Sequence, residues 1–172
     1  MLEALGVEFS VVVPEVSELM EGEPHELVRT NALAKARAVA AVADEGTTVI
    51  AGDTEVILDG RPLGQPADEA AARGYLEELS GRRHEVLGGL AVLTAGEERV
   101  GVEASRVRFR ELGEAEIDAY VASGEWHGRA GGYAVQGLGS ALVEEVRGDL
   151  SNVIGLPVAL LLRLAPELLG SR

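Results

Sequence analysis

The distribution of apolar and polar residues along the chain predicts an α/β protein. Runs rich in Val, Ile and Leu predict strands, and these runs are Val7–Val13, Thr47–Ala51, Glu55–Leu58, Arg61–Leu63, His84–Leu93, Arg99–Phe109 and Ala141–Val146. Apolar residues at helical spacing predict helices, at Pro24–Val42, from Asp68 to Leu79, at Gly113–Val121 and at Val158–Leu169. With no repeat or low-complexity segment, we expect one mixed α/β domain over residues 1–172.

Turn residues divide this pattern into hairpins and loops. The pair Asp59–Gly60 predicts a tight two-residue hairpin turn, and Gly96 predicts the turn of a longer antiparallel hairpin. The stretch Gly124–Gly139 holds six of the 22 glycines of the chain. Glycine-rich loops between regular elements commonly carry function, so this stretch is a candidate active-site loop.

Composition excludes several classes of partner and chemistry. The chain has 15 Lys and Arg against 29 Asp and Glu, a formal net charge of −14, which disfavours nucleic acid polymers and anionic membranes as partners. The absence of cysteine excludes disulfides, thiolate nucleophiles and Cys-ligated metals. The N-terminus does not resemble a signal peptide and the most apolar run, Val153–Leu162, is too short to span a bilayer, so we expect a cytoplasmic protein.

Known nucleotide and hydrolase motifs are also missing. The single lysine, Lys35, lies inside a predicted helix, which excludes a Walker A loop. The glycines at 137 and 139 precede a strand and do not complete a dinucleotide fingerprint. The three histidines, at 25, 84 and 127, are far apart in the sequence and give little support to a zinc site or a Ser-His-Asp triad.

The most informative polar residue is Asp53, which directly follows the buried-type run 48–52 and is predicted to lie just past the end of a strand. A carboxylate on such a rigid support could activate water and help to hold a divalent metal. Alternatively, Asp53 caps the following turn through Thr54.

Other polar residues each have a functional and a structural interpretation. Lys35 could contact a phosphate or lie on the helix surface. Gln65 and Gln136 could read a base edge or bond to loop backbone. Glu18 could ligate a metal or only face solvent, and Trp126, the single tryptophan, could stack on a base or cover the core.

Several short motifs follow one another along nearly the whole chain: Val13–Pro14 with Glu18, Lys35–Ala36, Ala51–Gly52–Asp53–Thr54, Leu63–Gly64–Gln65–Pro66–Ala67, Leu79–Ser80–Gly81–Arg82–Arg83–His84, Ala130–Gly131–Gly132–Tyr133–Ala134–Val135–Gln136–Gly137 and Asn152–Val153–Ile154–Gly155–Leu156–Pro157. In this order they resemble the Maf family. The resemblance implies a Maf-like fold shared with house-cleaning inosine triphosphate pyrophosphatases, with a mixed twisted sheet flanked by helices. It also implies a cytoplasmic, usually dimeric enzyme that hydrolyses a nucleoside triphosphate to the monophosphate and pyrophosphate with Mg²⁺ or Mn²⁺.

The resemblance also implies roles for individual residues. Asp53 matches the family's proton acceptor, and with Glu18 it matches positions that face the metal. Substrate-binding positions fall on Glu18, Lys35, Thr54, Gln65, Arg129 and Gln136. The Tyr-Ala-Val-Gln-Gly form of the loop is similar to the branch that acts on dTTP and UTP, whereas Ser80 and His84 match positions that we interpret as structural.

The chain departs from the family pattern at four places. The family's first strand and its Ser-x-Arg-Arg segment have no counterpart before Met1, and we expect an initiation codon further upstream. Gln65 replaces a lysine, which would weaken triphosphate binding by about 1–3 kcal/mol if a charge-assisted contact is lost. Glu55 stands at a usually apolar position, and Arg129 replaces a lysine of the same charge.

These departures leave two other functions open. A nucleotide-binding regulator of septum formation with little turnover would need fewer basic phosphate contacts. Hydrolysis of modified nucleotides would use Trp126 and Gln136 to select an altered base.

Overall fold

The computed structural model describes residues 1–169, which form a five-stranded open sheet with helices on both faces. The strands are β1 (Val49–Leu58), β2 (Arg61–Pro62), β3 (Arg83–Thr94), β4 (Glu97–Phe109) and β5 (Val143–Arg147). Their spatial order is β2-β1-β3-β4-β5, and all four neighbouring pairs are antiparallel. The predicted α/β class, with a sheet flanked by helices, is confirmed.

Two tight turns join neighbouring strands into hairpins. Asp59 and Gly60 join β1 to β2 with φ values of 51° and 79°, and Ala95 and Gly96 join β3 to β4 with values of 48° and 85°. Positive φ at both central residues is the geometry that two-residue hairpins require, because it matches the twist of the flanking strands. Both predicted hairpins are confirmed.

The helices are α1 (Pro24–Ala40), α2 (Glu69–Leu79), α3 (Glu114–Ser123), α4 (Leu150–Ile154) and α5 (Val158–Leu164), with short 3₁₀ turns at 3–5, 130–132, 137–142 and 166–169. Pro24 occupies the first turn of α1, where a missing N–H costs nothing. Asp68, where the second predicted helix starts, caps α2, since its carboxylate accepts a hydrogen bond from the Ala71 backbone N–H at 2.8 Å.

Alternation along β3 explains how the sheet is covered. Ala91 and Leu93 face α1 and pack with its Ala32 and Ala36, whereas Leu90 and Val92 face the opposite side and pack with α5. Side chains of adjacent strand residues point to opposite faces. The largest apolar cluster contains Val56 of β1, Val86 of β3 and the fully buried Phe109. It lies where the sheet packs against α2 and α3.

Three predicted elements are wrong. Residues 7–13 form no strand, and Val11 and Val13 are 79% and 86% exposed, because no strand among residues 1–169 pairs with them. The strand predicted to end at Ala51 continues to Leu58, so Asp53 lies within β1 rather than past its end. No helix was expected between the strand Ala141–Val146 and the helix Val158–Leu169, but α4 lies there and is capped by Asp149 at the Ser151 N–H.

No helix in the described part of the chain is both long and apolar enough to cross a membrane.

Candidate functional site

The centre of the candidate site is a buried carboxylate on β1. Asp53 is 8% exposed and pairs with Gly89 of β3, on the face of the sheet that α1 covers. Gly89 has no side chain, so α1 lies directly on the sheet: a Cβ at this position would be 2.1 Å from the Val28 carbonyl oxygen. This close approach brings the polar side chains of α1 within reach of Asp53.

Two residues of α1 donate hydrogen bonds to the two oxygens of Asp53. The Lys35 ammonium lies 2.6 Å from Oδ1, and the Asn31 amide nitrogen lies 3.2 Å from Oδ2. Residues four apart on a helix share one face, which explains why one helix supplies both donors. The carboxylate is therefore buried at little cost, because it is both paired with a charge and hydrogen-bonded.

Lys35 also joins Asp53 to the acidic loop before α1. Its Nζ lies 2.8 Å from Oε1 of Glu18, and its side chain is 20% exposed. Burial lowers the pKa of the Lys35 ammonium, but hydrogen bonds and charges from Asp53 and Glu18 outweigh burial, so the pKa lies above its ordinary value. The interpretation of Lys35 as a solvated surface lysine is wrong, and the ammonium is held charged between two carboxylates.

Asn31 is a site residue that sequence reasoning did not select. Its side chain accepts a hydrogen bond from the Leu19 N–H at 2.8 Å and donates to the Leu19 carbonyl at 3.0 Å, while also donating to Asp53. It thus ties the loop that carries Glu18 to α1 and β1. A signal was present, because Asn31 is one of only two asparagines in the chain.

A cleft of about 490 Å³ opens over these residues, and we call it the main cleft. It collects six of the seven residues that the sequence singled out as functional: Glu18, Lys35, Asp53, Thr54, Gln65 and Arg129. The seventh, Gln136, lies in an adjoining cavity of about 400 Å³, the annex, which also contains His127 and Gly137. The two cavities adjoin along Arg129, Tyr133, Val153 and Ile154, which line both, and we call the two together the groove.

The interpretation of Asp53 as a turn cap is wrong, because its oxygens bond to α1 and residues 53–55 continue the strand. Trp126 does not contact either cavity. It is 4% exposed, packs in the main apolar cluster and donates a hydrogen bond to the Val121 carbonyl at 3.1 Å. It therefore covers the core, and a base-selecting role for Trp126 finds no support in the fold.

Tyr133 anchors the glycine-rich loop at the junction of the two cavities. Its hydroxyl lies 2.8 Å from Nε2 of His84, and both rings pack edge-on against Phe109. Burial lowers the pKa of His84 to about 4 and raises that of Tyr133, so both groups are neutral at physiological pH. This buried, neutral pair fits the structural role that the sequence analysis gave to His84.

Glu55 adds a further acidic group to the main cleft. It lies two residues after Asp53 on the same face of β1, and its Oε2 is buried with no hydrogen-bond partner in the described part of the chain. Burial, and secondarily the charge of Asp53, raise the pKa of the Glu55 carboxyl to about 6, although a hydrogen bond with the Gly64 backbone opposes this shift. The cleft therefore gains negative charge as the pH rises through about 6.

Substitution of Glu55 by Gln is expected to stabilise the protein above pH 6. The folded protein binds this proton more tightly than the unfolded chain, so the stability that protonation provides is complete below pH 4.5 and is lost by pH 6 to 7. After a discount for its partial exposure, the ionised Glu55 carboxylate should lower the free energy of unfolding by about 1 kcal/mol. Urea unfolding should show Glu55→Gln more stable by that amount at pH 7.5 and equal to wild type at pH 4.

The matched control is Glu45→Gln, which changes an exposed loop carboxylate. It should leave the unfolding free energy unchanged at both pH values. A Glu55→Gln variant no more stable than wild type at pH 7.5 would show that Glu55 carries no burial penalty.

Asp53 and Glu18 bring carboxylate oxygens, the donors that Mg²⁺ and Mn²⁺ prefer, to 2.6 and 2.8 Å from the Lys35 ammonium. Across residues 1–169, no group of three or more His, Asp and Glu side chains could hold a metal ion. Mg²⁺ is commonly held by one or two carboxylates together with substrate phosphates. The donor set fits a divalent ion that is completed by a phosphate ligand.

One family model and several known proteins are similar to this chain. The family model described as Maf-like protein matches residues 1–168. A dTTP/UTP pyrophosphatase of Deinococcus radiodurans is 47% identical over 161 residues, which cover 93% of this chain and 82% of the relative. The dTTP/UTP pyrophosphatase of Dictyoglomus thermophilum is 42% identical over an alignment of 179 residues, which covers 98% of this chain and 92% of that protein. A third, from Symbiobacterium thermophilum, is 45% identical over 160 residues, 92% of this chain and 82% of its own length.

Proposed function

This chain belongs to the family of Maf-like proteins, and we propose that it is a nucleoside triphosphate pyrophosphatase that converts dTTP and UTP to the monophosphate and pyrophosphate. The observation that carries the proposal is the buried Asp53 carboxylate, held by Lys35 at 2.6 Å at the edge of a cleft large enough for a nucleotide. The names of the three relatives support the choice of substrate.

In the proposed reaction, Asp53 accepts a proton from a water molecule as the water oxygen attacks the α-phosphorus. The bond between the α-phosphorus and the α,β-bridging oxygen breaks, and pyrophosphate leaves with that oxygen. Lys35 and Asn31 hold the carboxylate in one orientation, so little reorganisation is needed when the proton moves.

The remaining residues of the groove bind the substrate. Lys35 and Arg129 provide positive charge for the phosphates, and Thr54 and Gln65 provide polar contacts in the same cleft. Gln136, in the annex, faces the nucleoside part of the substrate. A divalent cation, Mg²⁺ or Mn²⁺, would be held by Asp53 and Glu18, and when bound it supplies charge neutralisation at the phosphate oxygens. We also propose that the protein is a cytoplasmic homodimer.

The proposed activity is tested by incubating the protein with UTP or dTTP and Mg²⁺, and by resolving the products chromatographically. UMP and pyrophosphate in equal amounts are expected. In water enriched in ¹⁸O, attack at the α-phosphorus places the label in UMP, whereas attack at the β-phosphorus places it in pyrophosphate. Tight UTP binding without products would instead support the nucleotide-binding regulator.

Substitution of Lys35 by Met is expected to change catalysis and metal affinity in opposite directions. Removal of the ammonium leaves Asp53 and Glu18 without their counter-charge, so these carboxylates should bind Mn²⁺ more tightly. The variant also loses the charge-assisted contact between Lys35 and the substrate phosphates. Such a contact contributes about 1.5–3 kcal/mol, so its loss should lower kcat/KM for UTP about 10- to 100-fold. Calorimetric titration with Mn²⁺ and steady-state kinetics measure the two effects.

The control is Arg29→Met, which removes an exposed cation from the same helix outside the cleft. It should leave both quantities near wild type. Weaker Mn²⁺ binding by Lys35→Met would contradict the proposed sharing of these carboxylates between ammonium and metal.

A further inference from the structure

The annex has the features of a base-binding cavity, an inference that rests on the proposed function. The triphosphate is drawn to the part of the main cleft where Lys35 lies, and the groove continues into the annex past Arg129 and Tyr133. A second groove also meets the cleft at Lys35, but most of its lining is apolar and comes from residues 2–14 and 39–51. The annex instead offers an imidazole and an amide, which can read the polar edge of a base.

His127 has a fixed ring orientation within the annex. The imidazole stacks on the buried Trp126, with ring centroids 3.7 Å apart and an interplanar angle of 22°. Its Nδ1 lies 2.8 Å from the carbonyl oxygen of Gly124. Stacking and hydrogen bonding together restrain a side chain that is otherwise exposed, which lowers the entropy lost when it binds a ligand.

The contact with Gly124 also assigns the tautomer of the ring. A carbonyl oxygen carries no proton, so Nδ1 must be the donor. In the neutral imidazole the lone pair is then on Nε2, and Nε2 has no hydrogen-bond partner among residues 1–169. His127 therefore presents an acceptor that the protein itself does not use.

We propose that His127 is a specificity-determining residue whose Nε2 accepts a hydrogen bond from N3–H of uracil or thymine. Both bases carry a proton on N3, whereas N3 of cytosine is a lone-pair acceptor and would oppose a second lone pair. The Gln136 amide in the same annex can donate to a base carbonyl, so the two side chains together match a uracil or thymine edge. This role distinguishes UTP and dTTP from CTP without any charge on the base.

The test is His127→Phe, which keeps an aromatic ring against Trp126 and removes the acceptor. Values of kcat/KM are measured for UTP, CTP and N3-methyl-UTP, which lacks the N3 proton. One lost hydrogen bond should lower kcat/KM for UTP about five- to tenfold. The values of kcat/KM for CTP and N3-methyl-UTP should change less than twofold, so the variant should lose most of the preference for UTP. His25→Phe, the same change at an exposed histidine outside both cavities, should keep the wild-type preference.

The outcomes separate this inference from the proposed function. If UTP is hydrolysed and His127→Phe lowers kcat/KM equally for all three substrates, or for none of them, the proposed role of His127 in base recognition is overturned.

If the wild type hydrolyses no nucleotide, the proposed function fails, and the inference about His127 is then tested by nucleotide binding alone. Fluorescence of Trp126, the single tryptophan, then reports titrations. The inference is supported if wild type binds UTP more tightly than N3-methyl-UTP and His127→Phe does not. It is overturned if the ratio of the two dissociation constants is the same in both proteins.

Discussion

Asp53→Asn should lower kcat for UTP hydrolysis about 10²- to 10⁴-fold, the range that a positioned general base contributes. The amide has nearly the same shape, but it cannot accept a proton from the attacking water at neutral pH. Because Asn31 and Lys35 already donate to this side chain, Asn would keep one acceptor oxygen for them and change KM much less than kcat. Steady-state release of pyrophosphate, followed with a coupled pyrophosphatase, measures both constants.

Asp59→Asn is the matched control for this loss. Asp59 lies just past the end of the same strand with φ of 51°, a backbone conformation that Asn adopts readily, and its exposed carboxylate pairs with Arg82 on the surface. Its activity should equal that of wild type. If Asp53→Asn kept more than a tenth of the wild-type kcat while folding normally, Asp53 would not be the proton acceptor.

Gly89→Ala should destabilise the protein by about 3 kcal/mol or more, at the upper end of the cost of overpacking a core. The added Cβ would lie 2.1 Å from the Val28 carbonyl oxygen and 2.4 Å from its carbon, and neither backbone atom can move without displacing α1. Since α1 carries Asn31 and Lys35, activity should also fall. Urea unfolding at neutral pH measures the stability, and UTP hydrolysis at low temperature measures the activity of the folded fraction.

Gly74→Ala adds the same methyl group where there is room for it. Gly74 lies inside α2, and a Cβ at this position would meet no atom of the surrounding structure within 4 Å. Alanine there should raise stability by about 0.4–1 kcal/mol, because it restricts the unfolded chain and favours the helix. Equal effects of the two substitutions would mean that α1 does not lie directly on the sheet at Gly89.

Much of the fold could be predicted from short-range patterns. The pair Asp59–Gly60 and the long runs on either side of Gly96 specified two hairpins, because the turn chemistry and the alternation of side chains agree locally. Residues 7–13 have an equally strand-like composition but form none, since a strand requires a partner that composition cannot reveal. The short α4 was missed because glycine and proline flank it closely.

The candidate site was predicted unevenly for a related reason. Asp53 and Lys35 stood out as unusual residues, and the resemblance placed both at the site, yet their 2.6 Å contact joins positions 18 residues apart. Asn31 was overlooked because its role exists only through contacts with Leu19 and Asp53. Glu55 was noted as a departure from the family, but its burial and raised pKa depend on neighbours across the cleft.

The α/β class, the hairpin turns, the acidic charge and the family could be predicted from the order of amino acids, because they depend on local propensity, composition and motif order. Three features became evident from the folded structure: the ammonium shared by Glu18 and Asp53, the burial of Trp126, and the unused acceptor of His127 in the annex. Those features depend on how helices and loops pack against the sheet, as α1 does at Gly89, and such packing follows from long-range contacts.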